Sequence, residues 1–464
     1  MSRALRAGLI AAILIVALGL RIVEVQRTNA SYRPINDAGS YLTLASSVAH
    51  TGDYRLSHTP GSGAGGTRGP SAYFAPGYPY FLAAVDLIDG HATRRDGAIH
   101  GARIAQAVLG TATVALTGLV ALELFGETAG LIALLIAAIY PVGIGLAGTL
   151  VAENLMTPLV LGAVYAGLRV RRARAPGAAY GWIAAAGVLS GLATLTHENA
   201  IVIAAPILAA VWTGRPRFAA RSLAAPALLL ATAALTIAPW TIRNALVMHR
   251  FIPVSDETGI TLVGTYNAAS AANAVVPYKW RIFYGIPGER ALIHKAGQET
   301  EPQLGGQLRH QALHYISEHP TAPVQVAYHN TLRLFELHGT FAWQAAAAAI
   351  SLPISVARDG VIGFWVLCLL ALAGAFSRPV RAAPKWVWIV PLLLALSVVL
   401  VNVETPRFRA PIDPFLILVA SAGLASGATW LRARLGNRAP VRRQAGDAVA
   451  ARPAELVEMR ERLA

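Results

Sequence analysis

Asp37 and Glu153 are the two acidic residues whose positions best suit chemistry at a membrane surface. Asp37 follows soon after a long apolar stretch at the amino terminus, and Glu153 stands where another apolar stretch begins. Ionisable side chains beside membrane spans are costly to place and mark functional sites by default. Two acids at one water–lipid boundary could share a site, with Asp37 as a general base. The alternative is structural: Asp37 or Asn36 caps a helix, and Glu153 is a helix-start acid favoured by the helix dipole.

Arginine side chains at two further boundaries are suited to binding phosphate. Arg407 and Arg409 lie in the sequence ETPRFR, a short loop before the last apolar stretch, and Arg243 lies in PWTIRN at the end of another. A guanidinium group binds phosphate through paired hydrogen bonds. The alternatives are pairing of the first two arginines with Glu404, Asp413 or lipid head groups, and a snorkelling anchor role for Arg243.

Three other residues are weaker candidates. His197 and Glu198 lie together in another short loop between apolar stretches. Tyr41 shares a face with Asp37 if residues 38–50 form a helix. His197-Glu198 begins like a zinc-protease motif but has no second histidine at the required spacing, and the glycines of residues 61–66 lack the βαβ context of a dinucleotide site. The sequence therefore indicates no metal site and no organic cofactor.

The composition is that of a membrane protein. Of 464 residues, 55% are hydrophobic and 14% are charged, and the mean hydropathy is +0.51. Soluble proteins carry about 25% charged residues. Apolar stretches near the spanning length of about 20 residues recur at roughly 5–23, 99–122, 129–147, 154–169, 181–196, 199–213, 223–241, 360–377, 386–402 and 411–431. The first resembles a signal peptide but lacks a clean cleavage site, so we expect a retained anchor. An all-α polytopic bundle of about ten transmembrane helices is predicted.

The net charge of +15 reflects topology rather than nucleic-acid binding. Arginines cluster between the predicted spans at residues 169–174, 215–221 and 378–385, and again at 432–443. The positive-inside rule then places both termini in the cytoplasm of a cell whose plasma membrane holds the protein. Residues 24–98 and 242–359 face outward in this arrangement, and the single cysteine, Cys368, excludes a disulfide framework.

The outward segments are predicted to carry short helices at the interface. We expect helices at Ala38–His50 and Tyr78–Ile88 and a Gly-rich stretch at Pro60–Gly69. Residues 341–357 are predicted to be interfacial, because a span there would move the arginines of 378–385 to the outer side. Residues 1–434 thus form the transmembrane domain, and residues 435–464 form a mobile cytoplasmic tail.

These motifs together resemble the polytopic GT-C glycosyltransferases. The resemblance covers most of residues 1–430 and rests on the acid after the first span, the acid at the next outer turn, and the sequences APGYP, PWTIRN and ETPRFRAPIDPF. The group most similar is the bacterial relatives of dolichyl-phosphate-mannose protein mannosyltransferases, including the aminoarabinose lipid A transferases. Two features depart from the pattern: Asp37 is followed by Ala rather than Glu, and Thr196-His197-Glu198 stands where relatives often carry Thr-Arg. Both leave the acceptor open.

The resemblance implies transfer of a sugar from a polyprenyl-phosphate donor on the outer face, usually with inversion. It assigns the base to Asp37, a second essential acid to Glu153, and the lipid phosphate to Arg407 with Arg243 and Arg409. Tyr41, His197 and Glu198 are further candidates for substrate binding. The acceptor would be a hydroxyl of a cell-envelope glycan, lipid or protein.

Two other classes of function remain as alternatives. A transporter or lipid flippase is expected to carry polar residues and broken helices near the membrane midplane. The polar candidates here gather at the outer ends of the spans, which favours the enzyme. A non-catalytic scaffold of a cell-envelope complex would show almost the same sequence pattern.

Overall fold

Helices dominate the fold. The computed structural model describes residues 2–56, 69–89, 95–281 and 298–436. Its first half contains α1 (Arg3–Thr28), α2 (Asp37–Thr51), α3 (Gly77–Asp89), α4 (Arg95–Phe125), α5 (Glu127–Ile139), α6 (Pro141–Ala147), α7 (Glu153–Val170), α8 (Pro176–Thr196), a 3₁₀ segment (Glu198–Ile203), α9 (Ala204–Val211) and α10 (Ala220–Met248). Its second half contains α11 (Thr258–Thr265), α12 (Ala268–Ala271), α13 (Glu301–Glu318), α14 (Ala322–Leu334), α15 (Thr340–Ala349), α16 (Ile354–Ala375), α17 (Arg378–Ala382), α18 (Lys385–Val399), a 3₁₀ turn (Arg407–Arg409) and α19 (Asp413–Gly436).

Six helices are long and apolar enough to cross a membrane. They are α1, α4, α8, α10, α16 and α19. Helices α5 and α6 add one broken span at most, because they meet at a bend of 52°. The polytopic all-α class is thus confirmed, whereas the described residues support six or seven spans by length and composition rather than about ten.

The difference in span number has local causes. The predicted span 129–147 breaks at Pro141, which has no backbone N–H to donate and clashes with the preceding turn. Helix α18 has 15 residues and the predicted span 199–213 is the short apolar helix Glu198–Val211. At about 1.5 Å per residue, both are shorter than the hydrocarbon layer of about 30 Å.

The bend between α5 and α6 is closed by a buried arginine. The Arg21 guanidinium, in α1, donates hydrogen bonds to the carbonyls of Ala17, Ala137 and Ala138. Arg21 is 2% exposed. Carbonyls that a broken helix frees inside a membrane need such donors, so Arg21 explains how this interruption is tolerated.

Helices outside the spans build a second core above the membrane bundle. The predicted helices at 38–50 and 78–88 are confirmed as α2 and α3, and both pack with α11, α13 and α14. Residues 341–357 are divided between α15 and the start of α16, and α15, with ten residues, is too short to span. The predicted Gly-rich stretch, apart from Gly69, lies outside the described residues, as do residues 437–464 of the tail.

Candidate active site

Arg407 brings the two predicted acids together. Its Nη1 lies 2.7 Å from Oδ2 of Asp37, a hydrogen-bonded ion pair, and its Nε lies 3.6 Å from Oε1 of Glu153. A third acid, Glu404, lies 3.8 Å from the same Nε. The two longer contacts exceed hydrogen-bond distance and act by charge attraction alone. One guanidinium therefore balances acids from three separate parts of the chain.

The helix ends explain why these residues meet. Asp37 is the first residue of α2, Glu153 is the first of α7, and Arg407 opens the 3₁₀ turn before α19. The predicted capping alternative is not seen for Asn36, whose side chain makes no cap bond and instead donates to the carbonyl of Ala349. Glu153 does begin a helix, as predicted, and its side chain is only 3% exposed.

A cavity of about 380 Å³ opens beside this cluster. Its polar lining comes from helix ends and from the segments 24–98 and 242–359, and includes Asn36, Asp37, Ser40, Tyr41, Tyr73, His197, Glu198, Asn199, Glu257, Lys279, Arg281, Asn402, Glu404 and Arg407. That volume lies within the range of small-molecule sites, about 300–1,000 Å³. The cavity combines acids, cations and aromatic rings.

One part of the cavity is basic. Lys279 Nζ lies 3.5 Å from Oε1 of Glu404, which extends the charge cluster of Arg407. The backbone N–H of Arg281 donates to the carbonyl of Gly264, beside the end of α11, and its Nη1 donates to the carbonyl of Ala269. Among the described residues no carboxylate pairs with Arg281, so its charge is available to an anion.

Another part is acidic. Glu198 and Glu257 both line the cavity, and burial raises the pKa of each, to about 7 for Glu198 and well above the ordinary range for Glu257. Their mutual repulsion raises the pKa of Glu257 further. Glu198 was a sequence candidate, but Glu257, Lys279 and Arg281 were not. They lie in the long segment 242–359, where charged residues are ordinary and no motif singled them out.

Tyr41 and His197 also line the cavity. The Tyr41 ring packs edge-on against Tyr78, and burial raises the pKa of its hydroxyl well above the usual value, an effect that the charge of Asp37 increases. The His197 ring stands perpendicular to that of Phe408, with centroids 6.1 Å apart. Both side chains thus face the region where Asp37 and Arg407 meet.

The structure does not bring Arg243 and Arg409 to this cavity. Arg409 is 2% exposed and pairs with Glu336 at 2.9 Å and with Asp413 at 3.2 Å. Arg243 lies over the ring of Trp240 and donates to the carbonyls of Ser71 and Tyr54. Each guanidinium is occupied by protein groups, and for Arg409 these include Asp413, the partner considered as its structural alternative.

The comparisons with known proteins agree with this architecture. Residues 75–242 match the family model of dolichyl-phosphate-mannose-protein mannosyltransferase. That range contains Glu153, His197 and Glu198, whereas Asp37 and Arg407 lie outside it. Comparison with curated proteins gives no match.

Solved structures match the chain at low sequence identity. The oligosaccharyltransferase of Archaeoglobus fulgidus, crystallised with a tethered acceptor peptide, matches with a TM-score of 0.58 and 14% identity over 93% of this chain and 51% of that one. AglB from the same organism, in complex with an inhibitory peptide and a dolichol-phosphate, matches with a TM-score of 0.55 and 14% identity. The match covers 94% of this chain and 52% of that one. ArnT from Cupriavidus metallidurans, bound to undecaprenyl phosphate, matches with a TM-score of 0.42 and 16% identity. The match covers 90% of this chain and 77% of that one.

The chain spans about half the length of the oligosaccharyltransferases that it matches. At this identity the likeness shows a common fold, and the mannosyltransferase family model matches the chain independently. The predicted resemblance to the GT-C membrane glycosyltransferases is therefore confirmed for the fold and, over residues 75–242, for the mannosyltransferase family model.

Proposed function

We propose that this protein transfers a sugar from a polyprenyl-phosphate donor to an acceptor hydroxyl, with Asp37 as the general base. The observation that carries the proposal is the cavity in which Asp37 lies between cations and further acids. Support for the carrier lipid comes from similar proteins, since one was solved with a dolichol-phosphate and the matching family model is that of a dolichyl-phosphate-mannose enzyme.

The charges of the cavity suit each end of the donor. The phosphate lies against Lys279 and Arg281, and Arg407 contacts its bridging oxygen. Because phosphate competes with Asp37 for the Arg407 guanidinium, donor binding weakens the ion pair that holds the carboxylate. Asp37 is then free to accept a proton.

The reaction follows from this arrangement. The acceptor oxygen forms a bond to C1 of the sugar while the bond from C1 to the phosphate oxygen breaks, and the hydroxyl proton passes to Asp37. Positive charge develops at C1 as in other glycosyl transfers, and the surrounding acids stabilise it. Arg407, Lys279 and Arg281 stabilise the departing lipid phosphate. Attack from the face opposite the phosphate inverts the configuration at C1.

We further propose that the cavity faces the outer side of the plasma membrane. Asp37, Glu153, His197 and Arg407 lie at one set of helix ends, whereas the arginines of residues 169–174 lie at the other ends of α7 and α8. The positive-inside rule puts the arginine-rich ends in the cytoplasm. An outer active site suits a lipid-linked donor, which needs no nucleotide. The acceptor is then a hydroxyl of an envelope glycan, lipid or protein.

The broken helix α5–α6 is the feature that a transporter would share. Its freed carbonyls are bonded by Arg21, and the cavity beside it is only about 60 Å³. The large polar cavity lies instead at the helix ends. This distribution favours an enzyme over a transporter or flippase.

The test compares membranes that contain the wild-type protein with membranes that contain Asp37→Asn. Both are supplied with a panel of radiolabelled polyprenyl-phosphate sugars, and label on endogenous acceptors is measured. We expect transfer by the wild type and a rate lower by about 10²–10⁴-fold in the variant, the usual contribution of a general base. Equal rates would remove Asp37 from that role, and absence of transfer from a folded wild type would contradict the proposed activity.

A further inference from the structure

The carboxyl groups of Glu198 and Glu257 are unusual because no described cation lies within ion-pair distance of them. In the part of the chain that the structure describes, neither side chain has an ion pair or a hydrogen bond. Asp37, Glu153 and Glu404, by contrast, all contact Arg407. An acid that is half-buried in a cavity wall without a partner is costly, so the arrangement calls for a ligand or another role.

The position of Glu257 before α11 separates it from the basic part of the cavity. Glu257 immediately precedes α11, and Ile260 and Thr261 of that helix line the cavity wall. The backbone of Arg281 is bonded to Gly264 near the other end. Gly264 is seven residues after Glu257, and at a rise of about 1.5 Å per residue the two are about 10 Å apart along the helix axis. A phosphate at Lys279 and Arg281 therefore leaves room for a pyranose ring between it and Glu257.

The charges of the cavity favour one orientation of the ligand, with its phosphate at the basic part and its hydroxyl groups at the acidic part. Lys279, Glu404, Arg407 and Asp37 form a chain of neighbouring opposite charges. Glu198 and Glu257 line the same cavity but pair with none of these four groups. A phosphate beside Glu198 and Glu257 would be repelled, whereas hydroxyl groups can both donate to and accept from carboxyl groups.

We propose that Glu198 and Glu257 form the subsite that binds the hydroxyl groups of the donor sugar and selects among donors. The inference rests on the proposed function and goes beyond it by naming the residues that recognise the sugar rather than its carrier. A carboxyl group can accept a hydrogen bond from one sugar hydroxyl and, when protonated, donate one to a neighbouring hydroxyl. Because the unpaired carboxyls gain hydrogen bonds only when the sugar is present, they contribute to affinity for the sugar and not for the lipid phosphate.

The experiment measures binding rather than turnover. Purified protein in nanodiscs is titrated with undecaprenyl phosphate and with undecaprenyl-phosphate-linked hexoses and pentoses. We expect the wild type to bind at least one sugar-bearing lipid more tightly than the bare phosphate. In Glu257→Ala this preference should fall by about 10–100-fold, the value of one or two hydrogen bonds to a charged group. Affinity for undecaprenyl phosphate itself should be unchanged.

Each other outcome contradicts the inference in a distinct way. A preference that persists in Glu257→Ala overturns the subsite and leaves the proposed transfer reaction standing. A wild type that binds bare phosphate and all sugar-bearing lipids equally also overturns the subsite. A wild type that binds none of these lipids overturns both the subsite and the proposed function.

A second variant and a control guard against misfolding. Glu257→Gln preserves size and one hydrogen-bonding oxygen, so we expect a smaller loss of preference with normal binding of undecaprenyl phosphate. Glu318→Gln removes an exposed acid of α13 whose one ion pair among the described residues is with His314. This control should retain the full preference.

Discussion

Replacing Arg407 by Gln should destabilise the fold, because Arg407 is the counter-ion of a deeply buried acid. Glu153 is 3% exposed and lies 3.6 Å from Arg407 Nε. Asp37 is 31% exposed and can be rehydrated, so most of the cost falls on Glu153. Lys279 is already at 3.5 Å from Glu404. The described residues therefore offer Glu153 no replacement cation.

The size of the effect follows from the charge left behind. Removing one partner of a buried ion pair costs about 3–5 kcal/mol. The entropy of unfolding is about 2 cal/mol/K per residue. For a chain of 464 residues we therefore expect the melting temperature of the variant to fall by about 3–5 °C. The double variant Arg407→Gln/Glu153→Gln should recover much of this loss, since it removes the unbalanced charge as well.

The single cysteine provides the assay. Cys368, in α16, is half-buried, so a thiol-reactive fluorophore reports unfolding of the membrane domain in detergent. Arg381→Gln, which removes an exposed arginine of α17, is the matched control and should behave as the wild type. An Arg407→Gln protein as stable as the control would refute the counter-ion role. So would a double variant no more stable than the single one.

Three further changes test other parts of the structure. Burial raises the pKa of Glu301 from 4.5 to about 7, so the free energy of unfolding should fall as the pH rises from about 4.5 to about 7. In thermal unfolding between about pH 5 and 8, Glu301→Gln should make this dependence on pH weaker. Arg243→Lys should lower the free energy of unfolding by about 1–3 kcal/mol, because it loses hydrogen bonds to backbone carbonyls. Its affinity for undecaprenyl phosphate should be unchanged. A tenfold loss of that affinity would instead support the phosphate contact predicted from the sequence. Arg409→Met should lower the free energy of unfolding by about 3–5 kcal/mol, because it leaves Glu336 and Asp413 buried without their cation. The triple variant with Glu336→Gln and Asp413→Asn should be more stable than Arg409→Met alone in the same assay.

Local sequence signals predicted the helices well but not where they break. Apolar length and the positive-inside pattern were sufficient for the all-α polytopic class and for α2 and α3. They failed at residues 129–147, where Pro141 interrupts an otherwise continuous apolar stretch. The interruption is tolerated because Arg21, more than a hundred residues away in the chain, bonds the freed carbonyls. No local pattern contains that information.

The site shows the same division. Asp37, Glu153 and Arg407 could be singled out because each is a charge beside an apolar stretch, and such positions are expensive. Glu257 and Lys279 lie in a long polar segment where charged residues are ordinary, so composition gives them no prominence. Only the packing of α11 beside the helix ends brings them to the cavity.

The two arginines of the loop before α19 show why residue type alone cannot assign a role. Both were predicted to hold phosphate, and both lie on one 3₁₀ turn. Such a turn has three residues per turn, so side chains two positions apart point in different directions. Arg407 faces the cavity and its acids, while Arg409 is buried between Glu336 and Asp413. The buried side fixes the turn against the membrane helices, and that anchoring holds Arg407 between Asp37 and the space where the leaving phosphate is proposed to lie.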